Sequence, residues 1–82
     1  MLVWVLNIED CFQGEQHYSV ELFNCEEKAK NRLKVLRDDF FANNNMEDYN
    51  IDMDMDDEFD VYMPGFYSFD RYCLYITKQD LN

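Results

Sequence analysis

Acidic residues at alternating positions stand out between Glu47 and Asp60, where the sequence reads EDYNIDMDMDDEFD. This stretch holds eight acids and no base. Asp52, Asp54 and Asp56 alternate with apolar residues, so on a β-strand their carboxylates would share one face at a spacing of about 6.6 Å. Grouped carboxylates suit three kinds of chemistry: cation binding, general acid–base catalysis and imitation of nucleic-acid phosphates.

A calcium site is the first alternative, because Asp52-x-Asp54-x-Asp56 resembles the beginning of an EF-hand loop. The remainder of the loop pattern is absent. Position six would be Asp57 instead of glycine, and position twelve would be Met63 instead of a bidentate glutamate. We therefore expect weak association with cations, and we assign no metal ligand and no cofactor.

Catalysis by paired carboxylates is the second alternative. The acids are crowded together, and the only histidine, His17, lies on the predicted outer face of a distant strand. The two glycines, Gly14 and Gly65, cannot build a phosphate-binding loop, and neither GxSxG nor HExxH occurs in the sequence. We expect a protein that is not an enzyme.

Imitation of nucleic-acid charge is the third alternative. A row of carboxylates spaced on the scale of a phosphate backbone would suit a basic groove, and nearby aromatic side chains could anchor the interface. Asp56 to Glu58 are consecutive and cannot share one face, so a break or bulge is expected near Asp57. The simpler interpretation, a solvated acidic loop without a partner, also fits the sequence. The predicted partner-binding residues are Asp52, Asp54, Asp56, Asp57, Glu58, Asp60, Tyr49, Tyr62 and Tyr67.

Composition and charge limit the class of protein. At 82 residues, with 48% hydrophobic and 17% aromatic residues, the chain is expected to fold as a single domain spanning residues 1–82. The net charge is −11, of which residues 42–82 carry −8 (ten acids, two bases). This charge repels nucleic acid and acidic lipid and favours basic proteins, so we expect neither direct nucleic-acid binding nor membrane binding.

Cysteine content and the amino terminus bear on the compartment. Cys11, Cys25 and Cys73 are widely spaced and form no CxxC motif, as expected of ordinary reduced thiols. The opening MLVWVLNIEDCF has a short apolar run without a basic segment before it, so it does not resemble a signal peptide. The sequence therefore predicts a cytoplasmic protein.

Hydrophobic periodicity predicts strands on both sides of one helix. Leu2 to Ile8 and His17 to Phe23 are predicted to form a hairpin, with a polar turn over Glu9 to Gln16. Residues 58–63 and 71–77 alternate in the same way on either side of a Pro64-Gly65 turn, and residues 78–82 form a polar tail.

One amphipathic helix of about 16 residues is predicted after Asn24, which is a good N-cap residue with Glu27 three positions on. Asn43 to Asn45 mark its end, because asparagine tolerates the left-handed conformation. Its apolar face consists of Ala29, Leu33, Leu36 and Phe40. The bases of the remaining surface could bind an anion or form a solvated, salt-bridged face; they are Lys28, Lys30, Arg32, Lys34 and Arg37.

These elements predict an α+β fold. It consists of an antiparallel sheet of four or five strands, with one amphipathic helix packed on one face. The predicted order is β-β-α-β-β, with the acidic stretch as a possible additional edge strand.

A compact acidic domain that opens WVLNIEDCF, places NCEEKAKNRL at its helix and continues into IDMDMDDEFD resembles the small acidic inhibitors encoded by bacteriophages. In size and charge it is similar to the anti-CRISPR and anti-restriction proteins that imitate DNA. The resemblance implies an inhibitor of a basic nucleic-acid-binding site in a host defence complex, such as a CRISPR effector or other host nuclease, acting in the host cytoplasm. The alternative is a small structural or adaptor module that binds other proteins and uses its charge for solubility. Neither of these two hypotheses predicts an oligomeric state.

Overall fold

The computed structural model describes residues 1–64 and 70–81, which form an antiparallel sheet with a helix on one face. The order of strands across the sheet is β2-β1-β5-β4-β3. The α+β class and the antiparallel sheet with one long helix are as predicted. The order β-β-α-β-β is not confirmed, because three strands follow the helix. The elements are β1 (Leu2–Phe12), β2 (Glu15–Phe23), α1 (Glu26–Asn43), a 3-10 helix (Met46–Asp48), β3 (Asn50–Asp54), β4 (Glu58–Met63) and β5 (Asp70–Asp80).

β1 and β2 form a hairpin joined by a two-residue turn. Gln13 and Gly14 both have positive φ, 52° and 84°. This combination defines a type I′ turn, whose twist matches that of the strands. The predicted polar turn over Glu9 to Gln16 is therefore too long. Backbone pairing continues through these polar residues because ladder hydrogen bonds do not depend on side-chain polarity.

The core lies between the sheet and the helix. Five large apolar side chains of the described residues are fully buried there, and each such burial stabilises the fold by roughly 1.5–3 kcal/mol. They are Leu6, Leu33, Phe59, Val61 and Leu74. The predicted apolar face of α1 is confirmed: Ala29 and Leu33 are buried, and Leu36 and Phe40 pack against the cluster.

The ends of α1 differ from the predictions. Cys25, one residue after Asn24, is the N-cap, and its side chain makes no capping hydrogen bond. At the other end Asn44 is extended, with φ −132°, instead of left-handed. The side-chain amides of Asn43 and Asn44 donate to the carbonyls of Asp39 and Phe40 at 2.8 and 2.9 Å. Those bonds add side-chain donors to carbonyls of the last helical turns.

β5 is longer than predicted and passes through the predicted polar tail as far as Asp80. The backbone N–H of Leu81 donates to the carbonyl of Met1 at 2.7 Å, and the Met1 ammonium lies 3.1 Å from the Asp80 carboxylate. β4 and β5 pair antiparallel as expected. Gly65 of the predicted turn and Asn82 lie outside the described residues.

Candidate partner-binding surface

β3 carries the acidic stretch along one edge of the sheet, and all five of its residues are exposed. The pairing with β4 shifts register between Ile51, opposite Val61, and Met53, opposite Asp60. Asp52 is the additional residue of this β-bulge. A bulge changes the alternation of side chains between the two faces of a sheet. The bulge therefore lies within β3, and the break predicted near Asp57 is the turn at residues 55–57 between β3 and β4.

Acidic side chains lie on both faces of the sheet near this edge. The Asp54 carboxylate points to the helix face, where its Oδ1 lies 3.3 Å from Nη1 of Arg37. Glu58 shares the opposite face with Asp60, two residues along β4, and the charge of Asp52 contributes to the raised pKa of Arg71. Asp56 follows the end of β3 and meets Lys30 of α1. Because Asp54 and Asp56 are both bound by bases of α1, the three carboxylates do not form the free row that was predicted.

Two bases of α1 hold the acidic segment against the helix. Nζ of Lys30 lies 3.1 Å from Glu26 and 3.2 Å from Asp56, and hydrogen bonds to Glu26 and then Asp56 raise the pKa of Lys30. Arg37 binds Asp54 as described above. Lys30 and Arg37 thus belong to a salt-bridged helix face, which is one of the two alternatives that the sequence left open. They also neutralise part of the negative charge that was predicted to bind a partner.

Asp60 is not an exposed carboxylate. Its side chain is 10% exposed and accepts two hydrogen bonds from Arg71 of β5, one from Nε to Oδ1 at 2.9 Å and one from Nη2 to Oδ2. These bonds to Asp60 are the largest cause of the raised pKa of Arg71. Asp60 therefore joins β4 to β5, and its carboxylate is not on the acidic surface.

Unneutralised charge remains on β3, in the turn that follows it and at the first residue of β4. Asp57 and Glu58 form no ion pair within the described residues, and neither does Asp52. The backbone fixes this turn, since Met55 N–H donates to the Glu58 carbonyl at 2.8 Å and Ile76 N–H donates to the Asp57 carbonyl at 3.0 Å. These three acids project from a defined backbone.

The predicted aromatic anchors have different environments. Tyr49 is half-buried and packs edge-to-face on Phe40, with ring centroids 5.2 Å apart. Burial, followed by the charges of Asp70 and Asp48, raises the pKa of Tyr49. Tyr62 is half-buried on β4. Tyr67 lies outside the described residues.

Several contacts were not predicted from the sequence. Arg71 was assigned to a strand without a role, although it neutralises Asp60. Asn7 was part of an apolar run, yet it is buried at the centre of a polar network on the face opposite the helix. Its amide donates to Thr77 Oγ1 at 3.2 Å, and its Oδ1 accepts from the Tyr18 hydroxyl at 2.6 Å. A single asparagine within VWVLNI was the available signal.

A shallow depression of about 390 Å³ lies near the β1–β2 turn. Among the described residues, no group of three or more His, Cys, Asp or Glu side chains is arranged to hold a metal ion. His17 is exposed, 3.7 Å from Glu15. The depression is lined by Glu9, Asp10, Cys11, Gln16, His17, Tyr18, Arg71 and Cys73.

The three cysteines are free thiols. Cys73 is buried on β5, and burial, together with the charge of Asp60, raises its pKa to about 11. A thiol with such a pKa is a poor nucleophile at neutral pH. Cys11 and Cys25 are partly exposed.

No family model matches this sequence, and no curated protein or solved structure matches the chain. Within residues 1–64 and 70–81, no helix is long and apolar enough to cross a membrane. Because no known protein matches the chain, the function of this surface is inferred from its own residues.

Proposed function

We propose that this protein is a non-enzymatic cytoplasmic inhibitor that binds the basic nucleic-acid-binding site of a host defence complex. A CRISPR effector is the first target to test. The observation that carries the proposal is the position of the acidic segment. It forms an exposed edge strand and a turn that lead into β4, and Asp52, Asp57 and the half-buried Glu58 have no ion-pair partner within the described residues.

The division of charge between two faces changes how such an inhibitor would bind. A single row of carboxylates would suit a flat basic surface, whereas acids on both sides of a sheet edge suit a groove that encloses the edge. Asp54 and Asp56 remain exposed although they bind Arg37 and Lys30, so a denser group of bases can compete for them. Asp60 maintains the fold beneath this edge.

The backbone hydrogen bonds of Met55 and Asp57 also contribute to binding by limiting movement of the acidic segment. An edge that is already held in position loses less conformational entropy on association than a free acidic loop does. Its charge also accelerates encounter with a basic groove and makes the affinity fall as salt concentration rises.

The test is cleavage of a matched DNA by a purified CRISPR effector loaded with guide RNA, with this protein added at increasing concentration. Asp52→Asn combined with Asp57→Asn should weaken inhibition at least ~10-fold and reduce its salt dependence. Glu9→Gln combined with Glu15→Gln removes the same charge from the β1–β2 hairpin and should change inhibition much less.

Two results would contradict the proposal. One is equal weakening by both pairs of substitutions, which would mean that only total charge matters. The other is the absence of inhibition together with failure of DNA to displace the proteins that this chain captures from a bacterial lysate. Circular dichroism spectra of all variants serve as the control for folding.

A second candidate, an adaptor that binds proteins through apolar contacts, is favoured by the sheet face opposite the helix. Tyr18, Val20 and Leu22 are 61%, 46% and 62% exposed on that face. Binding through such side chains would persist at about 1 M salt, where charge-based binding is screened. Affinity measured at low and high salt therefore separates the two functions.

A further inference from the structure

β2 forms the sheet edge opposite the acidic one, and it is neither short nor interrupted by a bulge. Its nine residues pair with β1 in an unbroken register from Phe23 to Glu15. Native edge strands are generally short, bulged, charged or covered, because their free backbone groups otherwise pair with another strand. β2 is long and regular, and it exposes the apolar side chains of Tyr18, Val20 and Leu22 on one face.

The register shows which backbone groups of β2 are free to pair. In the two-residue hairpin Phe12 and Glu15 form the hydrogen-bonded pair beside the turn, and bonded pairs then recur at every second residue. The hydrogen bond from Leu81 N–H to the Met1 carbonyl supports this pattern. In the β1–β5 register it means that odd-numbered residues of β1 form their backbone hydrogen bonds with β5, so that even-numbered residues form theirs with β2. The outward N–H and C=O groups of β2 belong to Gln16, Tyr18, Val20 and Leu22.

We infer that β2 pairs antiparallel with β2 of a second copy of this chain, about a two-fold axis at Ser19. In this register Tyr18 lies opposite Val20 of the second copy, and Gln16 lies opposite Leu22. Gln16, Tyr18, Val20 and Leu22 would form the hydrogen bonds between the two copies through their outward N–H and C=O groups. The apolar side chains of both copies then meet on the same face of a continuous sheet.

Charge favours this register over the one centred on Tyr18. With the axis at Ser19, His17 lies opposite Glu21 of the second copy, and no two acids are directly opposed. With the axis at Tyr18, Glu15 would lie opposite Glu21, and directly opposed like charges are destabilising. Glu21 also binds Arg32 at 3.0 Å, so the local surplus of negative charge is small despite the net charge of the chain.

The dimer is compatible with the rest of the fold and separate from the proposed function. A two-fold axis perpendicular to the sheet places both helices on one face, each packed over the strands of its own copy. It leaves both β3 edges exposed at the two ends of the joined sheet. Dimerisation therefore neither requires nor prevents binding of a basic partner at β3.

The experiment is sedimentation velocity of the full chain over a range of concentrations, combined with native mass spectrometry. A dimer is expected for the wild type. Val20→Lys should raise the dimer dissociation constant at least ~10-fold. Ile51→Lys is the matched control, since Ile51 is a similarly exposed β-branched residue on the opposite edge, and it should leave the dimer unchanged.

Two further variants test the register. His17→Glu places a glutamate opposite Glu21 of the second copy and should weaken the dimer, whereas His17→Lys should retain it. Both residues are exposed at the edge, and circular dichroism verifies folding. A monomer at every concentration, disruption by Ile51→Lys equal to that by Val20→Lys, or equal effects of the two His17 variants would each overturn the inference.

Discussion

The two edges of the sheet differ in length, regularity and density of acids, all of which govern strand pairing. β3 has five residues, a bulge and a high density of acids, whereas β2 has nine residues in regular register with apolar side chains on one face. Charge and irregularity keep other strands away from β3 while presenting carboxylates to bases. The absence of such features on β2 permits pairing. One small sheet can therefore provide two surfaces with different chemistry.

The neighbours of the two edges reinforce this difference. On the β3 side, Arg37 and Lys30 of α1 reach Asp54 and Asp56. On the β2 side, Arg32 reaches Glu21. The same helix thus holds both edges by ion pairs, but a large surplus of acid remains only beside β3.

The largest expected effect concerns Arg71, which supports the acidic edge from β5. Arg71→Ala leaves the Asp60 carboxylate unpaired in a site where it is 10% exposed. Removing one partner of a fully buried pair costs about 3–5 kcal/mol, and since Arg71 is half exposed we expect a loss of about 2 kcal/mol. Urea denaturation measures it. Lys34→Ala, which removes an exposed base, should cost less than about 0.5 kcal/mol, and equal losses for the two variants would show that Asp60 does not depend on Arg71.

The second prediction concerns self-repulsion, which should be greatest at the β3 edge. Added salt screens the −11 net charge, so we expect it to stabilise the protein by on the order of 1 kcal/mol, or ~4–8 °C in Tm. Asp52→Asn with Asp57→Asn should reduce this gain more than Glu9→Gln with Glu15→Gln does. Thermal unfolding at several salt concentrations provides the measurement. A reversed order would place the strongest repulsion in the hairpin.

A smaller effect is expected from the two matched arginines of α1. Arg37→Gln and Arg32→Gln each break a partly exposed ion pair, and each should cost about 0.5 kcal/mol of stability. Only Arg37→Gln removes positive charge from beside Asp54. It should therefore strengthen inhibition of a target by about two- to three-fold, since less negative charge is offset. The measurement is the concentration of each variant that gives half-maximal inhibition. Stronger inhibition by Arg32→Gln alone would mean that the partner binds at the β2 edge and not at the β3 edge.

The effect that is smallest at neutral pH, and that grows only in alkaline solution, concerns Cys73, which lies between the two edges on the face opposite the helix. The pKa of the Cys73 thiol is about 11 in the folded protein, whereas its ordinary value, which applies to the unfolded chain, is 9. As the pH rises, the unfolded state therefore loses the thiol proton first. Stability should accordingly fall as pH rises from about 9 to about 11, and Cys73→Ala should make that fall shallower. Denaturation at several alkaline pH values measures the slope. At pH 8, N-ethylmaleimide should modify Cys11 and Cys25 well before Cys73, and rapid modification of Cys73 would mean that this face opens easily.

The predicted elements succeeded where side-chain periodicity was strong. The helix face of Ala29 and Leu33, and the alternation of Phe59 and Val61, followed from the burial of one side of each element. Strand ends were less predictable. Residues 9–10 and 78–80 are polar or charged but remain paired, because neighbouring strands continue beside them.

The acidic site was predicted as a segment but not as a surface. The exposed edge strand and the charged turn were anticipated from EDYNIDMDMDDEFD. The bulge at Asp52 was not, since a register shift depends on how β4 pairs and leaves no distinct pattern in the strand itself. The burial of Asp60 likewise depends on Arg71, which lies 11 residues further along the chain.

The sequence by itself determined the α+β class, the amphipathic helix and the concentration of negative charge in the second half of the chain, because these depend on composition and short periodicity. Tertiary structure decided which acids remain unneutralised. Ion pairs join residues from different elements, and a bulge alters the face on which each carboxylate lies. It also decided that β2 and β3 are the two edges, which no local pattern specifies, because strand order is set by the packing of the whole sheet.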